Sequence, residues 1–223
     1  FTANTMASAI EALGMSIPGA ASIPAVDRRD DGVAHSAGRV LYNLMERDIK
    51  PRDIMSREAF ENAISVVLAM GGSTNSVLHL LAMAHEAKVP LELDDFDRLS
   101  RRTPYLTDLR PGGRYVMSDL DKAGGVPVVM KELLAAGLLH GDVMTVTGKT
   151  LAENMEDFNR RPDSRVIYPV SSPRSPTGGL VVLKGNLAPE GAIMKVAGTK
   201  RLSHEGPARV YDGERAAFDA VTK

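Results

Sequence analysis

Residues 59–87, AFENAISVVLAMGGSTNSVLHLLAMAHEA, constrain this chain more than any other stretch. Apolar side chains run at helical spacing through Ile64, Val67, Leu68 and Met70, stop at Gly71-Gly72, and resume from Ser76 to Ala87. The second run is apolar around most of its girth, through Val77, Leu78, Leu80, Leu81 and Met83. Such a helix needs neighbours on most sides, which predicts burial inside a larger body. Ser56 reads as the N-cap of the first helix, with Glu58 in its first turn complementing the dipole.

The same texture extends either way. Residues 5–13 carry Met6, Ile10 and Leu13 at helical spacing, closed by Gly14 and a Pro18-Gly19 turn. Asp30-Asp31 precedes a helix to about Arg47, on which Val33, Ala37, Val40, Leu41 and Leu44 form one stripe. Asp94 caps a short helix to about Arg101, and residues 126–136 form another, ended by Gly137. Residues 142–147 read as a strand and 151–158 as a short helix.

Residues 159–164, Asn-Arg-Arg-Pro-Asp-Ser, break the pattern and read as a linker. Beyond it, 166–168, 179–183, 192–196 and 208–211 are short β runs between Pro and Gly turns, and 214–221 starts a helix. The expectation is an α/β chain: a mostly helical part over 1–160, then the start of a β-rich part over 165–223. A length of 223 residues, 43% of them hydrophobic, allows one large or two small domains with a true core.

With 27 basic residues against 28 acidic ones, nothing here tracks a phosphate backbone, so no nucleic-acid partner is expected. No apolar run approaches the roughly 18 residues of a membrane span, and no secretory signal is legible. The sequence has no cysteine, which fits a reducing compartment and excludes thiolate ligands among these residues. His79 and His85 are six positions apart and face different sides of a helix, so no metal site is expected from the chain's own histidines.

Two segments invite a ligand. Gly71-Gly72-Ser73-Thr74-Asn75 places two glycines and three small polar side chains at a helix start, where free N–H groups attract anions. It reads equally as a capped helix–helix junction. Thr2-Ala3-Asn4-Thr5 has the same character, and the simpler reading is again a capped start. Arg110-Pro111-Gly112-Gly113-Arg114 presents two guanidiniums that could clamp a carboxylate or be merely solvated. Arg174 shows no partner. Asp119 and Asp121 read as capping charges. Gly148-Lys149-Thr150 is similar to the end of a phosphate-binding loop, but position 143 is Val where that loop needs Gly, so Gly148 is read as a turn and Thr150 as a cap.

Four long blocks go further: residues 1–19 (FTANTMASAIEALGMSIPG), 59–87, 109–154 (LRPGGRYVMSDLDKAGGVPVVMKELLAAGLLHGDVMTVTGKTLAEN) and 175–198 (SPTGGLVVLKGNLAPEGAIMKVAG). Together they closely resemble the iron–sulfur dehydratase family, which contains dihydroxy-acid and sugar-acid dehydratases. TANTM, GGSTN with VLHLLA, and VMTVTGKTLAEN are similar to its branched-chain amino-acid members; at position 143, Val stands where relatives often have Cys.

The resemblance implies a central fragment: the end of the family's α/β N-terminal domain, then the beginning of a β-barrel-like C-terminal domain that swivels against it. It also implies a hydro-lyase that eliminates water from 2,3-dihydroxy-3-methyl acids to give 2-keto acids. The other options are a sugar-acid dehydratase, or an incomplete fragment acting as a structural module. An iron–sulfur cluster, 2Fe-2S rather than 4Fe-4S, and Mg²⁺ are implied for the full-length enzyme, with the cluster as Lewis acid on the departing hydroxyl. In the family a cluster cysteine precedes the position of Phe1, and the catalytic serine follows that of Lys223, so no catalytic residue, ligand or bound cofactor is expected within this chain. Thr2, Asn4 and Thr5 are expected near the cluster, and Gly72, Ser73, Thr74 and Asn75 in a substrate pocket. A small dihydroxy carboxylate substrate, a homodimer and a cytoplasmic location complete the expectation.

Overall fold

The computed structural model of the chain describes residues 2–199 and 201–222, apart from the Thr2 side chain. In order, its helices are α1 (Thr2–Ala12), α2 (Arg29–Glu46), α3 (Pro51–Ile54), α4 (Arg57–Met70), α5 (Asn75–Ala87), α6 (Leu93–Arg102), α7 (Met117–Lys122), α8 (Gly125–Ala135) and α9 (Leu151–Met155). The strands β1 (Leu180–Gly185) and β2 (Ala188–Lys195) and the helix α10 (Glu214–Val221) follow.

Helix α4 is the centre. The Ser56 hydroxyl accepts from the Ala59 amide at 3.2 Å, as a cap should. From Phe60 onward α4 is buried on nearly every side, because it serves two apolar clusters at once. Val66, Ala69 and Met70 pack with Leu106, Leu120, Val129 and Leu133. Phe60, Ile64, Val67 and Leu68 pack with Ala9, Leu13, Leu80 and Leu99. Asn62 fits this interior because its amide donates to the His140 carbonyl at 2.9 Å and accepts from the His140 amide at 2.8 Å.

This corrects an expectation. Helix α5 was the one expected to be enclosed, yet it buries one face, through Ser76, Val77, Leu80, Ala84 and Ala87, while Leu78 stays 67% exposed. The polar Asn62 and Ser65 disguise α4 as an amphipathic helix in the sequence. The stripe on α2 also fails to seat: no residue of α2 is buried, and Leu41 is exposed. Arg29 ties one end of α2 to Asp121 at 2.7 Å, and Arg47 ties the other to the Gly148 carbonyl at 2.9 Å.

A Schellman-type stop ends α4. Gly71 is left-handed (φ 61°), its amide bonds Leu68 O at 3.3 Å, and the Gly72 amide bonds Val67 O at 2.9 Å. An extended ribbon over 103–109 takes up the remaining carbonyls: the Leu106 amide reaches Ala69 O at 2.7 Å and the Thr107 hydroxyl reaches Met70 O at 3.0 Å. The ribbon also holds the segment after the linker, through Asp108 N to Val166 O (2.9 Å) and Tyr168 N to Leu106 O (2.8 Å).

The β-rich part is smaller than its sequence pattern predicts. β1 and β2 form a two-stranded antiparallel sheet with Leu180 opposite Lys195 and Leu183 opposite Ala192. This sheet is open, so the barrel-like expectation is not met among the described residues: two strands cannot close. Residues 166–168 and 142–147 contribute isolated bridges only, and 208–211 form no strand. Leu187, Leu202 and Val210 are left exposed. Among the described residues no helix is long and apolar enough to cross a membrane.

Glu11 on α1 is buried, and its carboxylate accepts from the Gly19 amide (2.9 Å) and the Ala21 amide (2.8 Å), fixing the loop after α1. Burial outweighs those two bonds and raises its pKa to about 7. A carboxyl with a raised folded-state pKa contributes stability that is complete below its unfolded value and is lost as pH rises through the folded value. Glu11→Gln, which cannot ionise, should therefore gain on the wild type between pH 5 and pH 8, by up to about 3 kcal/mol. Parallel denaturation curves at the two pH values check this.

Candidate functional site

The two small-polar segments meet. The Ser73 amide donates to the Thr5 hydroxyl at 3.1 Å, so residues 68 positions apart are directly bonded. Gly72 makes this approach possible: a Cβ there would lie 2.8 Å from the Thr5 methyl and 2.9 Å from a Val67 methyl. Asn4, Thr5, Gly72, Ser73 and Thr74 all line one cavity of about 400 Å³. Asn75 begins α5 beside it, and its amide donates to the Ser73 hydroxyl at 3.3 Å. Thr2 opens α1.

The opposite character comes from elements that sequence reasoning did not connect to the site. Lys195, the last residue of β2, lines the cavity and donates from Nζ to the Gly71 carbonyl at 2.6 Å. Desolvation holds its amine below the usual lysine value. A lone lysine at a strand end carries no signal in the sequence. Arg110 also lines the cavity, next to a cis Arg110-Pro111 bond, with Nε donating to the Arg114 carbonyl at 3.2 Å. Val67, Met70, Leu109, Val116 and Met117 supply hydrocarbon wall.

The other candidate arginines are structural. Arg114 does not line the cavity: its Nε pairs with the buried Asp108 at 2.6 Å. Arg174, expected to lack a partner, pairs with the other Asp108 oxygen at 2.6 Å and stacks over Tyr105, 5.1 Å from the ring centre. Asp119 does cap, accepting from the Val116 amide at 3.0 Å, whereas Asp121 pairs with Arg29. Gly148 turns with φ 73°, and Thr150 caps α9.

The donor set decides what the cavity can hold. Its lining offers hydroxyls, an amide, a guanidinium and an ammonium, and no carboxylate, thiolate or imidazole. Among the described residues no three His, Asp or Glu gather as metal ligands, and the sequence has no Cys. These residues do not fit an iron–sulfur cluster or Mg²⁺ as ligands; they fit an anion with a short apolar portion.

Comparison with known proteins shows the family. The description "Dihydroxy-acid/6-phosphogluconate dehydratase N-terminal" matches residues 1–154, and its C-terminal counterpart matches 165–223. The chain belongs to the dihydroxy-acid/6-phosphogluconate dehydratase family. Among curated relatives, the dihydroxy-acid dehydratase of Acidothermus cellulolyticus is 62% identical over 222 residues, 99% of this chain and 40% of that protein. Those of Tropheryma whipplei and Mycobacterium leprae are 56% and 58% identical, over 100% and 99% of this chain and 39% of each relative. The chain thus spans about two fifths of the length of the dehydratases it matches.

Proposed function

We propose that this chain forms one wall of the substrate pocket of a dihydroxy-acid dehydratase, a hydro-lyase of valine and isoleucine biosynthesis. Residues 1–160 and 165–223 are portions of its two domains. The observation that carries this reading is the bonded meeting of Thr5 with Ser73 at a cavity that Lys195 and Arg110 also line, in a chain of this family. In the reaction C2–H and C3–O break, water leaves, and the enol tautomerises to a 2-keto acid. Negative charge grows toward the carboxylate as the C2 proton departs. Positively polarised donors at that end stabilise it, and the start of α5 with Lys195 and Arg110 supplies such donors. The Thr5, Ser73 and Asn4 side chains orient the hydroxyls, and the wall around Met70 and Val116 accepts an alkyl tail in preference to a polyol. The cluster and Mg²⁺ implied for the family would be held by residues other than these. A homodimer in the cytoplasm is the setting that the family resemblance supports.

The test is turnover of 2,3-dihydroxy-3-methylbutanoate against gluconate by the full-length protein containing this sequence. Thr5→Ala and Ser73→Ala should each lower kcat/KM on the order of tenfold or more with cofactor content unchanged. Unchanged turnover in both would remove the two segments from the site, and preference for gluconate would favour the sugar-acid reaction.

A further inference from the structure

Among the described residues, neither cation of the cavity is paired with a carboxylate. Lys195 is half-buried, and among the described residues its Nζ is bonded only to the neutral Gly71 carbonyl. Most other buried or bridging cations are paired: Arg57 with Glu61 and Asp95, Arg98 with Glu61, Arg174 with Asp108. An ammonium has three N–H donors, and Lys195 uses one. Arg110, the cavity's other cation, is exposed, where water and salt screen it. A partly desolvated charge gains more from an opposite charge than a solvated one does. The strand register fixes the Lys195 backbone, which pairs across the hairpin with Leu180, whose side chain is buried in the α4 cluster, and the bond to the Gly71 carbonyl places the amine.

We propose that Lys195 binds the carboxylate of a short aliphatic hydroxy acid in this cavity. The ligand class follows from what surrounds the amine: a volume of about 400 Å³, hydrocarbon from Val67, Met70 and Met117, and the Thr5 and Ser73 hydroxyl groups for polar substituents. That this acid is the substrate rests on the dehydratase reading; the anion site does not. The competing account is a lysine that merely caps α4, since cations near a helix C-terminus and its carbonyls are stabilising.

The experiment uses the full-length protein, with isobutyrate as the anionic probe and isobutyramide as its neutral match. Acetylation of Lys195 by acetic anhydride, read by peptide mass, should be slowed by isobutyrate and not by isobutyramide. Lys195→Met should raise KM for the dihydroxy acid, and Ki for isobutyrate, by about 10- to 100-fold, and Lys195→Arg should recover most of that loss. A lysine that only caps the helix predicts a lower Tm with KM and Ki unchanged, and that result overturns the proposal. Equal protection by acid and amide, or by neither, overturns it too. If Lys195→Met does not fold, protection in the wild type decides alone. If the wild type dehydrates no dihydroxy acid while isobutyrate still shields Lys195, the dehydratase reading fails and the anion site stands.

Discussion

Gly71→Ala should destabilise the protein by about 3 kcal/mol or more and, in the full-length protein, remove most of the proposed turnover. Two effects add. Gly71 is in the left-handed region, which costs an L-residue with a Cβ about 1–2 kcal/mol. The new methyl would also lie 2.6 Å from the Tyr105 ring and 2.9 Å from the Ala197 methyl. Neither neighbour can retreat: Tyr105 is 4% exposed and lies under Arg174, and Ala197 is 8% exposed. Movement of Ala197 would carry Lys195 with it, so the site would be damaged along with the fold. Gly38→Ala is the matched control. That glycine lies inside exposed α2 with open space around it, and the change should stabilise slightly, by about 0.5–1 kcal/mol. Thermal unfolding of the two variants compares them directly. Equal shifts would show that the junction at Gly71 has slack.

Asp108→Ala should cost about 3 kcal/mol, because it strips the counter-charge from two guanidiniums at once. Most of the cost falls on Arg174, whose side chain is 25% exposed; Arg114, at 70%, can rehydrate. Arg174 keeps a hydrogen bond to the Thr107 carbonyl at 3.1 Å, which does not neutralise it. The double variant Asp108→Ala/Arg174→Met should therefore be less destabilised than the sum of the two single changes. Additive losses would mean that the pair contributes through packing alone. The Asp108 carboxylate also anchors the loop that presents Arg110, since it accepts from the Arg114 amide (3.3 Å) and from Arg114 Nε (2.6 Å). Loss of the carboxylate should thus raise KM as well as lower Tm.

Local chemistry was legible in the sequence where it is settled locally. Ser56 before an apolar period, Gly71 after it and Thr150 before Glu153 each name a helix boundary, and each boundary stands there. The two candidate segments of the site were legible for the same reason: small polar residues at a helix start announce free N–H groups. Their bond was not, because nothing local ties Thr5 to Ser73. Burial of α4 in place of α5 depends on which helices lie across from each, and Asn62 looks like a surface residue until His140 is opposite it. Arg174 seemed solitary because its partner lies 66 positions away. The β pattern after residue 165 overstated the sheet, since alternating residues need neighbouring strands to pair with, and among the described residues only β1 and β2 find one another.

The position of α4 has a consequence for how the molecule comes apart. A helix that forms a wall of both apolar clusters denies either of them an independent melting transition. Its amides should exchange with solvent only when both clusters open together, making α4 the slowest-exchanging segment. Helix α2 has no fully buried residue and is held at its two ends, so it can fray and reform many times while that unit stays closed.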